Sequence, residues 1–199
     1  MEIVLATRNE GKLREIKDLL EGLDIKIISL MDIKEIPAIS EDGSSFQENA
    51  LIKAEAVASF TKMVTIADDS GLEVDALNGK PGIYSARFAG EDTSDEKNNI
   101  ELLRRLEGVP MSERGATFKC AIAIVKPGGK KKIIEGECSG IIQFEEKGKF
   151  GFGYDPLFFV PEYGKTFAEL SPEIKNRISH RAKAMEKLKG ILKNEDFIV

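Results

Sequence analysis

The segment from Ala116 to Cys138 constrains the fold more than any other stretch of the sequence. Two strand-like runs, ATFKCAIAIV and KKIIEGEC, flank a turn that contains Pro127, Gly128 and Gly129. Runs of this kind around a Pro-Gly turn predict an antiparallel hairpin. A hairpin at the centre of the chain argues against the purely parallel sheet of a dinucleotide-binding fold.

Short strands alternate with amphipathic helices elsewhere in the chain. Strands are predicted at EIVLA, IKII, MVTIA and LEV. Helices are predicted over 11–23, about 45–62, 93–108 and about 179–193. We expect Ser44 and Gln47 to form a capping box on the second helix. The pattern predicts one α/β domain over 1–199, with an elongated mixed β-sheet flanked by helices.

Composition excludes several classes of function. No stretch approaches the roughly 20 apolar residues that span a bilayer, so no membrane association is expected. The formal net charge is −5, which argues against a broad nucleic-acid-binding surface. The first residues, MEIVLAT, lack the features of a signal peptide, and a cytoplasmic location is expected. Cys120 and Cys138 are predicted to be buried thiols.

An acidic pair, Asp68 and Asp69, follows the apolar run VTIA. Successive side chains of a strand point to opposite faces, so the two carboxylates would converge only if the strand ended or bulged here. We therefore expect Ser70 and Gly71 to break the strand. Mg²⁺ often binds through one or two carboxylates together with substrate phosphates, although both aspartates could instead form Asx-turns.

The loop ATRNEGK, residues 6–12, joins the first strand to the first helix. A helix N-terminus offers unpaired N–H groups, and Thr7, Asn9 and Lys12 add a hydroxyl, an amide and an ammonium group. This combination suits a phosphate chain, although the loop lacks the ending of a Walker A motif. Thr7 and Asn9 could equally be helix caps.

The second predicted helix carries Ser45, Asn49 and Lys53 at intervals of one turn. Such spacing places the three polar side chains on one face of the helix. That face is either part of a binding site or simply solvated.

The last third of the chain contains two further motifs. GFGYDP, residues 151–156, places Phe152 between two glycines, and a flexible loop with an aromatic ring suits stacking on a planar base. KNRISHRAK, residues 175–183, contains the single histidine, His180, and potential hydrogen-bond donors to an acceptor-rich ligand. Core packing, a turn or a helix cap is the alternative for both motifs.

Taken together, the motifs TxNxxK, ENA with Lys53, DDSGL, GFGYDP and SHR resemble the Ham1 or inosine triphosphate pyrophosphatase family. The resemblance extends over nearly the whole chain. It implies Mg²⁺-dependent hydrolysis of ITP, dITP and XTP to the nucleoside monophosphate and pyrophosphate. It also implies a homodimer, and a fold of two lobes with a central cleft.

The resemblance also assigns roles to individual residues. The first loop and the second helix would hold the triphosphate at Thr7, Arg8, Asn9, Glu10, Gly11, Lys12 and Lys53. Further substrate contacts are implied for Ser70, Phe152, Gly153, Tyr154, Asp155, Lys175, His180 and Arg181. Asp69 would be the general base, and the magnesium ligands would come from Glu41, Asp68 and Asp69.

Two other functions stay open at this point. A Maf-like pyrophosphatase acting on pyrimidine nucleotides has a related fold, but SHR and GFGYDP argue against it. A module that binds nucleotides without cleaving them is the second alternative. The set of Glu41, Asp68 and Asp69 argues against that alternative, because it offers carboxylates for metal binding and for base catalysis.

Overall fold

The computed structural model describes residues 1–33 and 36–193. The strands are β1 (Glu2–Leu5), β2 (Lys26–Ser29), β3 (Thr65–Val74), β4 (Gly115–Val125), β5 (Lys131–Ile142), β6 (Phe158–Val160) and β7 (Lys165–Thr166). The α-helices are α1 (Glu10–Leu19), α2 (Phe46–Thr61), α3 (Asp95–Arg105), α4 (Pro172–Ile178) and α5 (His180–Leu192). Within these ranges, no helix combines the length and the apolar character needed to cross a membrane.

The seven strands form one sheet in the order β2-β1-β3-β4-β5-β6-β7. β1 pairs in parallel with β2 and β3, whereas β6 pairs antiparallel with β5 and β7. β4 and β5 are neighbours in the sheet, and the Lys126 N–H donates to the Lys130 carbonyl within the turn that joins them. The predicted mixed sheet flanked by helices is therefore confirmed.

One predicted boundary is wrong, because Ser70 and Gly71 do not break the strand. β3 runs without interruption from Thr65 to Val74 and includes the whole DDSG sequence. In a continuous strand, neighbouring side chains project from opposite faces of the sheet. Asp68 and Asp69 therefore leave β3 on opposite faces.

The N-terminus of α2 also differs from the prediction by one residue. The N-cap is Ser45, not Ser44, and its hydroxyl accepts the Glu48 N–H at 3.2 Å. Ser44 instead donates its N–H and hydroxyl to the Glu48 carboxylate, both at 2.7 Å. The extended backbone of Ser45 is what allows its side chain to cap the helix.

The chain divides into two compact units, each built from segments that are distant in sequence. The first, which we call unit 1, comprises Met1–Asp69, Cys120–Gly136 and the described residues from Arg181 onward. Its core contains Ile3 and Ile66 from the sheet, Ile16 from α1 and Met185 from α5, all of them fully buried. These apolar contacts anchor α1 and α5 on one face of β1 and β3.

The second, unit 2, comprises Ser70–Lys119 and Glu137–His180. Three phenylalanine rings lie at its core, with centroids of Phe118 and Phe158 4.6 Å apart and those of Phe158 and Phe167 4.8 Å apart. Arg114 is buried in the same unit and donates to four backbone carbonyl oxygens. Cys138 is buried in this unit and Cys120 in unit 1, as predicted.

Candidate active site

Asp68 lies at the centre of a buried cluster of charges in unit 1. One oxygen, Oδ1, forms an ion pair with Lys12 of α1. The other, Oδ2, accepts from the Arg181 Nε of α5 at 3.2 Å and from the Cys120 thiol of β4 at 3.0 Å. Arg181 also forms an ion pair with Glu15 of α1. Both oxygens of Asp68 are therefore engaged by groups from three different elements.

The surroundings of Asp68 keep it ionised. Burial alone would raise the pKa of its carboxyl, but the charges of Arg181 and Lys12 outweigh burial and hold the pKa well below its usual range. Burial and the Asp68 charge raise the pKa of the Cys120 thiol well above its usual value. Cys120 is therefore a neutral hydrogen-bond donor to an anionic carboxylate.

Asp69 belongs to a separate group of side chains beside α2. The Lys53 ammonium donates to Asp69 Oδ1 at 2.8 Å and to Glu41 Oε2 at 2.8 Å, so one lysine bridges two carboxylates. The Lys53 side chain is only 12% exposed. Lys53 of α2 contacts Asp69, whereas side chains of α1 and α5 contact Asp68. The two aspartates therefore have different partners, as expected when their side chains lie on opposite faces of a continuous strand.

The two aspartates have opposite shifts in pKa. Burial raises the pKa of Asp69, and the charges of Lys53 and Lys12 offset that effect only in part, so the pKa is above its usual value. For Lys53, burial lowers the pKa, but Asp69 and Glu41 more than compensate and it is raised. A carboxylate with a raised pKa has the higher proton affinity that a general base requires.

The β1–α1 loop is built around its helix cap. Asn9 is the N-cap of α1, and its Oδ1 accepts the Lys12 N–H at 2.9 Å. The Thr7 hydroxyl accepts the Asn9 N–H at 3.1 Å. The capping role that the sequence suggested is therefore confirmed for Asn9, whereas Thr7 binds the backbone of the cap residue and does not cap the helix. Arg8 and Glu10 are exposed, which leaves the loop surface polar.

Unit 2 holds the GFGYDP motif in the connection between β5 and β6. Asp155 accepts the Phe152 N–H at 2.9 Å and forms an ion pair with Lys175, and both charged side chains are buried. The Lys175 ammonium also lies 5.1 Å from the centre of the Phe152 ring. Gly151 has a φ of 77°, and a Cβ there would collide with the Asp155 carboxylate. Phe152, Asp155 and Lys175 thus form one connected group.

Two further predicted residues, Tyr154 and His180, are buried in unit 2. The Tyr154 hydroxyl donates to the Ser85 carbonyl at 2.7 Å, and burial raises the pKa of the phenol. The His180 ring stacks on Phe118 with centroids 4.7 Å apart. Both side chains therefore have packing roles in addition to any contact with substrate.

The predicted site residues divide between the two compact units. Unit 1 contains Thr7, Arg8, Asn9, Glu10, Gly11, Lys12, Glu41, Lys53, Asp68, Asp69 and Arg181. Unit 2 contains Ser70, Phe152, Gly153, Tyr154, Asp155, Lys175 and His180. Sequence reasoning missed Glu15 and Cys120. Glu15 follows Lys12 by three residues in α1, and helical spacing could have indicated that both side chains lie on one face.

The acidic residues of unit 1 do not form a metal cage by themselves. Within residues 1–33 and 36–193, no three histidine, cysteine or acidic side chains converge closely enough to hold a metal ion. However, Glu41 and Asp69 already share one cation, the Lys53 ammonium. Mg²⁺ usually binds through one or two carboxylates and completes its coordination with water and substrate phosphates. The oxygen donors present fit an ion of that kind.

Comparison with known proteins identifies the family. The model of the Ham1 family matches residues 3–191. A dITP/XTP pyrophosphatase of Geobacter sulfurreducens is 54% identical over 190 residues, which is 96% of each chain. The corresponding protein of Geobacillus kaustophilus is 53% identical over 94% of this chain and 92% of the relative.

Solved structures support the same assignment. A Ham1 protein of Staphylococcus aureus is 45% identical, with a TM-score of 0.87 over 98% of this chain and 100% of that one. A HAM1 protein of Coxiella burnetii is 44% identical, with a TM-score of 0.88 over 96% of this chain and 98% of that one. The chain belongs to the Ham1 family.

Proposed function

We propose that the protein hydrolyses the non-canonical purine nucleotides dITP, ITP and XTP to the nucleoside monophosphate and pyrophosphate. The observation that carries this proposal is the identity of about half of all residues, over nearly the full length, with relatives named dITP/XTP pyrophosphatases. Hydrolysis would remove these nucleotides from the nucleotide pool. The charges of unit 1 and the aromatic loop of unit 2 support the proposal.

The triphosphate would be bound by the β1–α1 loop and by Lys12 and Lys53. The N-terminus of α1 offers backbone N–H groups to an anion, and the two ammonium groups supply positive charge. In the structure both lysines neutralise Asp68 and Asp69. A triphosphate would compete with these carboxylates for the lysines, so its binding changes the electrostatic environment of both aspartates.

Magnesium would be held by the carboxylates of Glu41 and Asp69, not by all three predicted residues, because Asp68 leaves β3 on the opposite face. When bound, the ion neutralises phosphate charge that shifts during bond cleavage. Glu41 and Asp69 are the more accessible ligands, because both oxygens of Asp68 are engaged by Lys12, Cys120 and Arg181.

Asp69 would act as the general base. Its carboxylate would take a proton from a water molecule as the water oxygen forms a bond to the α-phosphorus. The bond from that phosphorus to the bridging oxygen then breaks, and pyrophosphate leaves. The raised pKa of Asp69 supports this role, because proton affinity and general-base strength increase together.

The base would be recognised by Phe152 and by side chains that donate hydrogen bonds. Hypoxanthine and xanthine have an acceptor oxygen at C6, whereas adenine has a donor amine at that position. Donors such as Lys175, His180 and Arg181 would not find that acceptor on adenine, and the mismatch costs free energy. Arg181 is held by Asp68 and Glu15, so a contact with the base would couple recognition to the acidic cluster.

We also propose that the protein is a homodimer and that it acts in the cytoplasm. The resemblance to the family supports the first point, and the nature of the substrates, which are free nucleotides, supports the second. Light scattering after size-exclusion chromatography tests the dimer directly: a mass near 22 kDa instead of twice that value would refute it.

A panel of nucleotides tests the function. Purified protein is incubated with ITP, XTP, dITP, GTP, ATP and dTTP, with Mg²⁺ or with EDTA, and pyrophosphate is measured separately from orthophosphate. We expect release of pyrophosphate from ITP, dITP and XTP when Mg²⁺ is present and no release in EDTA. Preferential cleavage of dTTP would instead indicate a Maf-like pyrimidine nucleotide pyrophosphatase, and tight binding without cleavage would indicate a nucleotide-binding module.

A further inference from the structure

Two side chains on one face of α3 form hydrogen bonds with the backbone of Gly153, one with its N–H and one with its carbonyl. The Asp95 carboxylate accepts the Gly153 N–H at 2.6 Å, and the Asn99 amide donates to the Gly153 carbonyl at 3.2 Å. Asp95 and Asn99 are four residues apart in the helix and so lie on the same face. Gly153 has a φ of 61°, in the left-handed region that glycine adopts without strain.

The peptide groups held in this way are those next to the Phe152 ring. The Phe152 N–H donates to Asp155, and Asp155 in turn pairs with Lys175. The loop is therefore fixed from two sides, by Asp155 within the motif and by α3 outside it. A shift of Gly153 would change the direction of the Phe152 ring, because the two residues share a peptide bond.

Asn99 has features that packing alone does not explain. Its side chain is buried, and its Nδ2 donates to Glu146 at 2.7 Å as well as to Gly153. Its Oδ1 is also buried and has no hydrogen-bond partner within the described residues. A buried acceptor without a partner costs free energy, which a leucine of similar size would avoid. The contribution of Asn99 is therefore its donation to the loop.

We propose that Asp95 and Asn99 are positioning residues for base recognition, because they fix the peptide groups of Gly153 and hence the angle at which Phe152 meets a purine. Asp95 makes the shorter, charge-assisted contact and has the larger effect. This inference rests on the proposed role of Phe152 in the binding of the base.

The test compares KM, kcat and thermal midpoint in four variants of the full chain. Asp95→Ala should raise KM for dITP about tenfold, equivalent to about 1.4 kcal/mol, and change kcat less than about twofold. Asp95→Asn keeps an acceptor oxygen and should restore KM to near the parent value. Asn99→Leu removes the donor to the Gly153 carbonyl and should raise KM about threefold.

The matched control is Asn98→Ala. Asn98 is equally buried, but its amide bonds with Ala86 and Ala89 and not with the motif. This variant should lower the thermal midpoint and leave KM unchanged. Inhibition by inorganic pyrophosphate should be the same in all four variants, since pyrophosphate lacks a base.

Three results would overturn the inference: an unchanged KM in Asp95→Ala, no rescue by Asp95→Asn, or an equal rise of KM in Asn98→Ala. Phe152→Ala separates this inference from the proposal on which it rests. If Phe152→Ala raises KM for dITP and Asp95→Ala does not, only the positioning role fails. If Phe152→Ala leaves KM unchanged in an active enzyme, the role of the loop in base binding fails, and the positioning role fails with it.

Discussion

Replacement of Asp68 by asparagine should destabilise the metal-free protein, whereas the same change at Asp69 should leave stability unchanged or raise it. At position 68 the amide removes the charge that pairs with Lys12 and Arg181. At position 69 burial of the carboxylate outweighs its attraction to the lysines, so a neutral amide removes a net cost. Lys53 keeps Glu41 as a partner in that variant.

The size of the first effect follows from the partners that are left. Removal of one member of a buried ion pair costs about 3–5 kcal/mol. The lower end applies here, because Arg181 retains Glu15 and the Lys12 side chain is 14% exposed. For a chain of this size 1 kcal/mol moves the thermal midpoint by about 2–4 °C. Asp68→Asn should therefore lower it by roughly 6–12 °C.

The assay is thermal unfolding followed by circular dichroism in EDTA, with Asp18→Asn as the control. Asp18 is an exposed aspartate of α1, and its replacement should change stability by less than about 0.5 kcal/mol. A midpoint for Asp68→Asn equal to that of the parent would refute the argument. So would a loss in Asp69→Asn as large as that in Asp68→Asn.

The pH dependence of the difference gives a second check. The pKa of Asp68 is lowered in the folded state, so its contribution is complete above the pKa of the unfolded chain, near about pH 4. It is lost as the pH falls from there through the lowered pKa. The gap in midpoint between the parent and Asp68→Asn should therefore stay constant from neutral pH to about pH 4 and narrow below it.

Three further predictions concern activity and the core of unit 2. Asp69→Asn should abolish turnover and change dITP affinity less than about threefold, which equilibrium binding checks; near-normal turnover would place the base elsewhere. Arg181→Ala should narrow the preference for ITP over ATP, and an unchanged ratio of kcat/KM values would contradict its role in recognition. Arg114→Lys should cost roughly 3 kcal/mol in urea unfolding, because lysine cannot reach the four carbonyls that the guanidinium spans; an unchanged midpoint would contradict this.

Elements determined by local pattern were predicted well. The strand EIVLA and the helix after it were found because apolar spacing and the Asn9 cap act within a few residues. The predicted break at Ser70 and Gly71 is wrong because pairing in the sheet outweighs the local turn preference of these two residues. β3 lies between β1 and β4, and such a central position can override the preference of two residues.

The residues of the site were predictable by type but not by pairing. A short motif can indicate that Asp68 and Lys12 belong to the site. It cannot indicate that Arg181 pairs with Asp68, because the two residues are 113 positions apart and meet only through the packing of α5 on the sheet. The contact between Cys120 and Asp68 was equally unpredictable. The sequence indicates only a buried thiol at Cys120, whereas in the structure this thiol donates a hydrogen bond to Asp68.

The continuous strand explains why the sequence carries two adjacent aspartates. Asp68 uses both oxygens to hold Lys12, Cys120 and Arg181, so another cation could bind it only by displacing one of these groups. Asp69, on the other face, shares Lys53 with Glu41 and is the more accessible to a metal ion or a water molecule. One aspartate could not serve both sets of partners, because a single side chain of a strand reaches only one face. The two carboxylates are therefore not interchangeable: in the proposed mechanism Asp68 would fix Lys12 and Arg181, and Asp69 would accept the proton.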